Sequence, residues 1–286
     1  MKDQFKTAVV CCSNGQPMKN KRKLELLKNI LENFGLNPIF SDFIYEREGV
    51  FSGSAEERAD ALMSFYKNEE IKEIFDISGG DIANEILPYL DFELISKAEK
   101  RFWGYSDLTT IINAIYAKTG KKSVLYQIRN LVGDCSHQQI KSFSDTLIYG
   151  KRSLFNFNYT FVQGEGMKGV VVGGNIRCLL KLAGTEYFPD MNGKILLLES
   201  LGGTVPQMTT YLSQLKQIGV FEQINGIILG TFTKMELEKC SPDITELVKG
   251  YAGSRLPIVK TNEIGHGADS KGIVIGEEIA LTKHSA

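Results

Sequence analysis

Short apolar runs alternate with amphipathic stretches through the first half of the chain. The apolar runs predict buried strands, and the stretches between them carry apolar residues at helical spacing. The predicted strands span residues 7–12, 37–41, 71–77 and 123–126, and the predicted helices span 19–34, 54–65 and 82–87. Strands that alternate with helices are typical of a parallel, doubly wound α/β sheet, which binds ligands at the carboxyl ends of its strands.

The hydrophobic pattern changes near residue 151. The segment after the strand at 123–126 predicts an irregular connection. Beyond it, glycines interrupt short β-like runs, and an apolar run over 195–198 ends at Glu199. A helix over about 207–217 and a strand over 226–229 follow. We therefore predict two domains, a doubly wound domain over residues 1–150 and a smaller, β-rich α+β domain over residues 151–286.

The segment 101–110 has the sequence RFWGYSDLTT. Apolar residues before Gly104 predict a strand, and apolar residues at helical spacing over 108–115 predict a helix. Ser106 therefore lies at the turn between them, where the positive end of the helix favours negative charge. The position suits a nucleophile, although the second glycine of the G-x-S-x-G pattern is absent. Serine is also among the best helix caps, so a purely structural role is the other interpretation.

Composition and charge exclude several classes of function. The 286 residues carry a net charge of -1, so the chain lacks the basic footprint of a nucleic-acid-binding protein. No apolar run approaches the ~18 residues of a membrane span. The N-terminal residues lack the apolar segment and cleavage site of a signal peptide, so we expect a cytoplasmic protein.

The five cysteines are scattered along the chain. Cys11 and Cys12 are adjacent within a predicted strand and cannot form an ordinary framework disulfide. The others are Cys135, Cys178 and Cys240, and no C-x-x-C pair supports a zinc site. We expect buried, reduced thiols, and neither a metal nor a cofactor.

The loop after the third predicted strand is Ser78-Gly79-Gly80-Asp81. Two glycines let the backbone approach a ligand closely and can present N–H groups to an anion. Neither G-x-G-x-x-G nor the P-loop pattern is present. A tight turn into the following helix is therefore an equally open interpretation.

One of the three histidines lies in a setting that suits catalysis. His137 lies in a polar segment predicted to be irregular, and His284 lies near the end of the chain. His266 lies between two glycines, where the backbone can turn freely and the imidazole can point into a cleft. Histidine is the usual proton shuttle for a serine nucleophile because its pKa lies near neutral pH.

Glu199 directly follows four apolar strand residues. A carboxylate held at the end of a strand can orient an imidazole, although such a residue can also simply face solvent. Ser106, Glu199 and His266 each have a structural explanation of their own. Their occurrence in this order, each at a turn or a strand end, favours a catalytic triad.

With these residues the chain resembles the LD-carboxypeptidase family of serine peptidases, which includes muramoyltetrapeptide carboxypeptidases and microcin-immunity peptidases. The resemblance covers nearly the whole chain. The motifs that carry it are Ser78-Gly79-Gly80-Asp81, Leu87-Pro88-Tyr89-Leu90-Asp91, Gly104-Tyr105-Ser106-Asp107, Gly173-Gly174-Asn175, Gly184-Thr185 with Tyr187, Leu198-Glu199 and Gly265-His266.

The resemblance implies a flavodoxin-like N-terminal domain, a smaller β-rich C-terminal domain and, often, a homodimer. It implies a triad from both domains, here Ser106, Glu199 and His266. It also implies an oxyanion hole formed by backbone N–H groups of Asp107 and the Gly79–Gly80 turn.

Two substrates are compatible with this chemistry. One is a murein tetrapeptide, which would lose its terminal D-amino acid at an L,D bond, and the other is a peptidyl or aminoacyl nucleotide. We expect the first. A flavodoxin-like binding module without catalytic activity is the alternative of another class, in which Ser106 caps a helix and Gly79–Gly80 grips a ligand.

The chain departs from the family in one segment. Relatives tend to carry a His-Gly-Pro-like segment where this chain has Leu125-Tyr126-Gln127-Ile128-Arg129-Asn130. This difference affects the expected substrate pocket and leaves the residues of the triad unchanged. A carboxypeptidase must bind a terminal carboxylate, for which Arg129 and Arg177 are candidates. A nucleotide would instead need an aromatic face, but we expect Trp103 to lie in the core.

Overall fold

The computed structural model describes residues 5–283. The strands are β1 (Phe5–Val10), β2 (Leu36–Phe40), β3 (Ile71–Asp76), β4 (Arg101–Gly104), β5 (Ser123–Leu125), β6 (Thr160–Gln163), β7 (Gly166–Asn175), β8 (Lys194–Ser200), β9 (Gly226–Phe232), β10 (Ile258–Lys260), β11 (Ile273–Ile275) and β12 (Glu278–Thr282). The helices are α1 (Lys21–Asn33), α2 (Ala55–Lys67), α3 (Phe92–Lys97), α4 (Thr109–Thr119), α5 (Ser136–Leu147), α6 (Ile176–Leu180), α7 (Val205–Gln217), α8 (Val220–Gln223), α9 (Thr233–Leu237) and α10 (Ile244–Ala252).

The first sheet has the strand order β2-β1-β3-β4-β5, with β11 added beside β5. The first five strands are parallel, and helices connect them. α1 buries Leu24, Leu27 and Leu31, which follow the spacing of one helix face. Because the order of the five parallel strands is that of flavodoxin-like folds, the predicted architecture of this half is confirmed.

The second sheet has the order β12-β7-β8-β9-β10-β6. Its four central strands are parallel, and the two edge strands are antiparallel to their neighbours. The four apolar residues 195–198 of β8 are all fully buried. An apolar run of this kind is expected for a central parallel strand, which is covered on both faces. Asn175 at the end of β7 pairs in register with Glu199 of β8. The carboxyl ends of these strands therefore meet at one edge of the sheet.

The two halves are connected by strand pairing and by buried side chains. β5 and β6 lie on either side of the predicted boundary near residue 150, but β11 returns to pair antiparallel with β5. The Asn113 side chain exchanges hydrogen bonds with both backbone groups of Gly173, at 3.0 and 2.8 Å. The Asn175 N–H donates to Thr109 Oγ1 at 3.0 Å. The helix that follows Ser106 is thereby tied to the second sheet.

The segment between β5 and β6 is not irregular, so that prediction is wrong. A 3-10 helix spans Ile128–Val132, and α5 follows it. Phe143 of α5 is fully buried among aromatic rings of the first sheet. Many polar residues obscure the helical period, and one of them, Gln139, is buried and donates to two loop carbonyl groups. His137 lies on the exposed face of α5 rather than in an irregular segment.

The predicted helix over 82–87 is a 3-10 helix, Ala83–Tyr89, with Pro88 inside it. Proline lacks an N–H group, and its ring is incompatible with the interior of an α-helix. Among residues 5–283, no helix is long and apolar enough to cross a membrane.

Candidate active site

Ser106 lies where β4 ends and a short 3-10 helix, Ser106–Leu108, leads into α4. Its φ is 55°, a region that non-glycine residues rarely adopt and that costs roughly 1–3 kcal/mol. Its side chain caps neither helix. Instead, Ser106 Oγ lies 3.3 Å from His266 Nε2. The serine side chain is therefore directed at an imidazole, and the capping interpretation is wrong.

His266 is positioned by the loop between β10 and β11. The His266 N–H donates to Thr231 Oγ1 at 3.2 Å. Gly265 has a φ of 148°, and a Cβ there would lie 1.8 Å from the same Thr231 oxygen, so this close approach requires glycine. On the other side of the ring, His266 Nδ1 lies 2.6 Å from Glu199 Oε2. The imidazole therefore lies between a hydroxyl group and a carboxylate.

Glu199 is fully buried near the end of β8. Besides His266, its Oε2 is 3.4 Å from the hydroxyl oxygen of Tyr105. The Tyr105 ring also packs on the imidazole, with ring centroids 4.7 Å apart. Burial, followed by the nearby Glu199 carboxylate, raises the pKa of Tyr105 well above its ordinary value. Tyr105 therefore stays a neutral hydrogen-bond donor to the carboxylate.

The three predicted site residues come together from different parts of the fold. Ser106 follows a strand of the first sheet, Glu199 ends a strand of the second sheet, and His266 lies on a loop after β10. His137 is exposed on α5, and His284 lies outside the described residues. The geometry joins a hydroxyl group, an imidazole and a carboxylate, which is the arrangement that activates a serine nucleophile.

The Gly79–Gly80 loop lies beside Ser106. A Cβ built on Gly79 would lie 4.0 Å from the Ser106 Cβ, and one built on Gly80, at a φ of 127°, would collide with Asn14. Asn14 Oδ1 accepts a hydrogen bond from the Asp81 N–H at 3.1 Å. Across residues 5–283, no hydrogen bond to another residue occupies the backbone N–H groups of Gly79 or Gly80. The loop is held in place while these donors stay free.

Asp76 supports this loop from within the first sheet. Its Oδ1 accepts from the Ser78 N–H at 2.7 Å and from the Ser78 hydroxyl, and its Oδ2 accepts from the Cys12 N–H at 2.8 Å. Burial raises the pKa of Asp76. The carboxyl group thus connects the end of β3 to the end of β1, where the loops of the site begin.

A cavity of about 450 Å³ opens at Ser106. Arg177 lines it, and its guanidinium contacts the Asp81 carboxylate and the Gly80 carbonyl oxygen. Arg129 does not line this cavity; its side chain donates to Gln127 and Gln16. Of the two arginines suggested by the sequence, Arg177 thus lines the same cavity as Ser106, and Arg129 does not.

Trp103 is fully buried, and its indole N–H donates to Glu73 Oε2 at 2.6 Å. It is therefore a core residue, as expected. An aromatic side chain does line the cavity, but it is Tyr211 of α7.

The expectation that the cysteines are buried holds for three of the five. Cys11, Cys12 and Cys178 are buried, whereas Cys135 and Cys240 are only partly buried. Burial raises the pKa of each of the three buried thiols. No group of three or more His, Cys, Asp or Glu side chains within residues 5–283 could hold a metal ion.

Several supporting residues have no recognisable signal in the sequence. Gln139 of α5 donates to the carbonyl groups of Ala268 and Ser270 at 3.1 and 3.0 Å, and so holds the loop that carries His266. Tyr105 packs on the imidazole, and Thr231 Oγ1 accepts from the backbone N–H of His266. Both contacts form only because distant segments meet. Local patterns predict which residues lie at strand ends, but they do not predict contacts across the fold.

Comparison with known families identifies the chain. The N-terminal domain of LD-carboxypeptidases matches residues 7–126, and the C-terminal domain of the same family matches residues 168–281. The chain belongs to the LD-carboxypeptidase family. The predicted family and enzyme class are thereby confirmed.

Some relatives of this LD-carboxypeptidase are named as carboxypeptidases, and another is named as a microcin self-immunity protein. A probable murein peptide carboxypeptidase of Bacillus subtilis is 28% identical over 272 residues, covering 91% of this chain and 84% of that protein. The microcin C7 self-immunity protein MccF of Escherichia coli is 27% identical over 271 residues, covering 80% of this chain and 76% of MccF.

Solved structures of the family share the fold. A muramoyltetrapeptide carboxypeptidase from Oxalobacter formigenes has a TM-score of 0.82 at 22% identity, covering 98% of this chain and 95% of that one. MccF in complex with aspartyl sulfamoyl adenosine has a TM-score of 0.85 at 21% identity, covering 99% and 94%. At these identities the likeness shows the two-domain α/β architecture.

Proposed function

We propose that this protein is a serine L,D-carboxypeptidase that releases the terminal D-amino acid from murein tetrapeptide. Ser106 is the nucleophile, His266 the general base and acid, and Glu199 the residue that orients the imidazole. The observation that carries the proposal is the continuous chain from Ser106 Oγ to His266 Nε2 at 3.3 Å and from His266 Nδ1 to Glu199 Oε2 at 2.6 Å.

The proposed reaction begins with attack of Ser106 Oγ on the amide carbonyl carbon, while His266 Nε2 takes the hydroxyl proton. The 3.3 Å separation is slightly long for this transfer, but such contacts commonly shorten once substrate is bound. Glu199 accepts from Nδ1 and stabilises the imidazolium that forms. The imidazolium then gives its proton to the leaving amine, and water activated by the same imidazole hydrolyses the acyl-enzyme.

The backbone N–H groups of Gly79, Gly80 and Asp107 are the proposed donors to the oxyanion. They are close to Ser106 in the chain or in space, and no hydrogen bond to another described residue engages them. Each such donor lowers the barrier by about 3–4 kcal/mol in comparable sites. The glycines leave room for the carbonyl oxygen to approach the loop.

Arg177 supports a carboxypeptidase over other peptidases. A substrate cleaved at its last bond presents a free carboxylate within one residue of the scissile carbonyl, and a guanidinium group is the side chain best shaped to bind it. Arg177 and Ser106 line the same cavity. In the proposed complex the substrate carboxylate replaces the Asp81 carboxylate as a partner of Arg177.

The relation to MccF gives the second candidate function. The solved MccF complex contains an aminoacyl sulfamoyl nucleoside, and Tyr211 offers an aromatic ring in the cavity of this chain. An aspartyl conjugate carries its carboxylate on the acyl side of the bond that is cleaved, whereas the tetrapeptide carries it on the leaving amino acid. We rank the peptide first because we assign Arg177 to the carboxylate of the leaving residue.

Incubation with the two substrates tests the proposal. Murein tetrapeptide and a peptidyl-adenylate analogue are each added to the purified protein, and products are identified by mass spectrometry. Release of D-alanine from the tetrapeptide supports the proposal, and cleavage of the nucleotide conjugate alone rejects it. The Ser106→Ala variant is the matched control for a contaminating peptidase.

A homodimer and a role in recycling wall peptides in the cytoplasm complete the proposal. The family resemblance supports the dimer, and imported wall peptides would meet the enzyme in the cytoplasm. Sedimentation velocity at several protein concentrations tests the first, and fractionation of the source cells tests the second.

A further inference from the structure

A buried ion pair lies beside the nucleophile. Asp107 directly follows Ser106, and its side chain is fully buried. Lys181, which follows α6, donates from Nζ to Asp107 Oδ1, and 18% of its side chain is exposed. Charges removed from water in this way must be paired and hydrogen-bonded. Neither side chain has a role in the triad or in the proposed oxyanion hole.

The same two side chains hold the loop that carries Gly79 and Gly80. Asp107 Oδ2 accepts from the Ala83 N–H at 2.8 Å. Lys181 Nζ donates to the Asp81 carbonyl oxygen at 2.8 Å. The pair therefore contacts the loop at two positions just beyond the glycines.

A third contact joins the pair to the end of β1. Asp107 Oδ2 also accepts from the Ser13 hydroxyl at 2.7 Å, and the Ser13 N–H donates to Ser78 Oγ at 2.9 Å. All hydrogen bonds that the Asp107 carboxylate accepts thus come from segments around the Gly79–Gly80 loop or from the second half of the chain.

The position of these contacts matters because of the backbone at Ser106. Its φ of 55° lies in a region that serine rarely adopts, so contacts of the neighbouring residues must maintain it. The side chain of Asp107 supplies such contacts, and its N–H is a proposed oxyanion donor. The distance between the nucleophile and the glycine donors therefore depends on where the Asp107 carboxylate is held.

We propose that Asp107 and Lys181 form a positioning pair that holds the Ser106 turn and the Gly79–Gly80 loop at a fixed separation across the two halves. The inference rests on the proposed function. The pair acts on the transition state rather than on substrate binding, because it fixes the nucleophile and the oxyanion donors relative to each other. Loss of either charge should loosen both segments.

Kinetics of three variants test the pair. Lys181→Met should lower kcat about 10- to 100-fold with KM changed less than about threefold, as expected when catalytic groups move by a fraction of an ångström. Asp107→Asn should have a similar effect. The double variant should be no worse than the poorer single variant within about threefold, because the two residues act as a unit. Lys97→Met is the matched control, since it removes a lysine from an exposed ion pair with Glu93.

Hydrogen exchange gives a readout that is independent of the substrate. In Lys181→Met, amides in peptides covering residues 78–83 and 104–108 should exchange about tenfold faster or more, while peptides of the second sheet keep their rates. Lys97→Met should change neither region. If Asp107→Asn does not fold, the kinetics and hydrogen exchange of Lys181→Met still test the positioning pair.

Two outcomes overturn the inference. One is a Lys181→Met enzyme with wild-type kcat and unchanged exchange, and the other is a rise in KM without a fall in kcat, which would make Lys181 a substrate contact. Ser106→Ala, measured in parallel, separates the two proposals. If it is inactive while Lys181→Met is normal, only the positioning pair is rejected. If it is active, the proposed function fails, and exchange alone tests the pair.

Discussion

His266 Nδ1 lies 2.6 Å from Glu199 Oε2, although the two residues are 67 positions apart in the chain. The carboxylate is fully buried, and the imidazole side chain is only 9% exposed. With Nδ1 engaged in this way, Nε2 faces Ser106. The contact therefore sets which nitrogen can exchange a proton with the nucleophile.

Replacement of the nucleophile or the base should nearly abolish activity. Ser106→Ala and His266→Ala should each lower kcat at least about 10³-fold without unfolding the protein, since both side chains act in the same proton transfer. The double variant should be scarcely worse than either single variant, because residues that act as a unit are not additive. Steady-state kinetics with circular dichroism as the folding control measure this. Near wild-type kcat in either single variant contradicts the triad.

Glu199→Gln tests whether Glu199 orients the His266 imidazole or binds the substrate. The amide has nearly the same size but lacks the charge that stabilises the imidazolium, and its NH₂ group can favour the wrong tautomer. We expect kcat to fall about 10²- to 10⁴-fold with little change in KM. A variant that changes KM alone would show that Glu199 contacts the substrate instead.

Tyr105→Phe tests the second partner of the carboxylate. The substitution keeps the ring on His266 but removes the hydroxyl group that lies 3.4 Å from Glu199 Oε2. A hydrogen bond to a charged group is worth about 1.5–3 kcal/mol, but this one is long, so we expect kcat to fall only about three- to tenfold. KM and the thermal midpoint should change little. A fall comparable to that of Glu199→Gln would mean that Tyr105 takes part in the chemistry.

The sequence predicts the three residues of the triad better than it predicts the residues that hold them in place. Ser106 and Glu199 lie at the ends of apolar runs, and His266 lies between glycines, so each has a local signal. Gln139, which holds the His266 loop from 129 residues away in the chain, lies in a polar segment whose helix was not predicted. Its helical period is carried by few apolar residues, and its burial depends on tertiary contacts.

The two arginines illustrate the same limit. Arg129 and Arg177 each follow an isoleucine that comes after a polar residue. Nothing in their neighbours distinguishes a residue that lines the cavity from one that lies outside it. Arg177 follows β7, whose carboxyl end meets that of β8 at the site. Arg129 lies in the short helix after β5 and is mostly buried, and burial lowers its pKa. Sheet topology decides between them.

Thiol reagents and chelators should leave activity largely intact. Burial raises the pKa of Cys11, Cys12 and Cys178, so these thiols stay protonated across the neutral range, and the thiolate is the reactive form. Iodoacetamide at pH 7 to 8 should therefore label them much more slowly than the partly buried Cys135 and Cys240, as peptide mass spectrometry would show. Activity should survive both this treatment and dialysis against EDTA. Loss on chelation that zinc restores would overturn the proposed mechanism.

Arg177 provides the sharpest test of the substrate. If it binds the terminal carboxylate, Arg177→Met should raise KM for murein tetrapeptide at least about tenfold while kcat falls much less, since a charge-assisted bidentate contact is lost away from the reacting bond. Asp81→Asn should not raise KM, because it removes the carboxylate that the substrate must displace from Arg177. Arg22→Met on the exposed face of α1 is the matched control. A tetrapeptide with an amidated C-terminus completes the design: wild-type enzyme should cleave it poorly, and Arg177→Met should treat the acid and the amide alike. Equal cleavage of both peptides by the wild type would show that no carboxylate is recognised, and the protein would then act on a different amide.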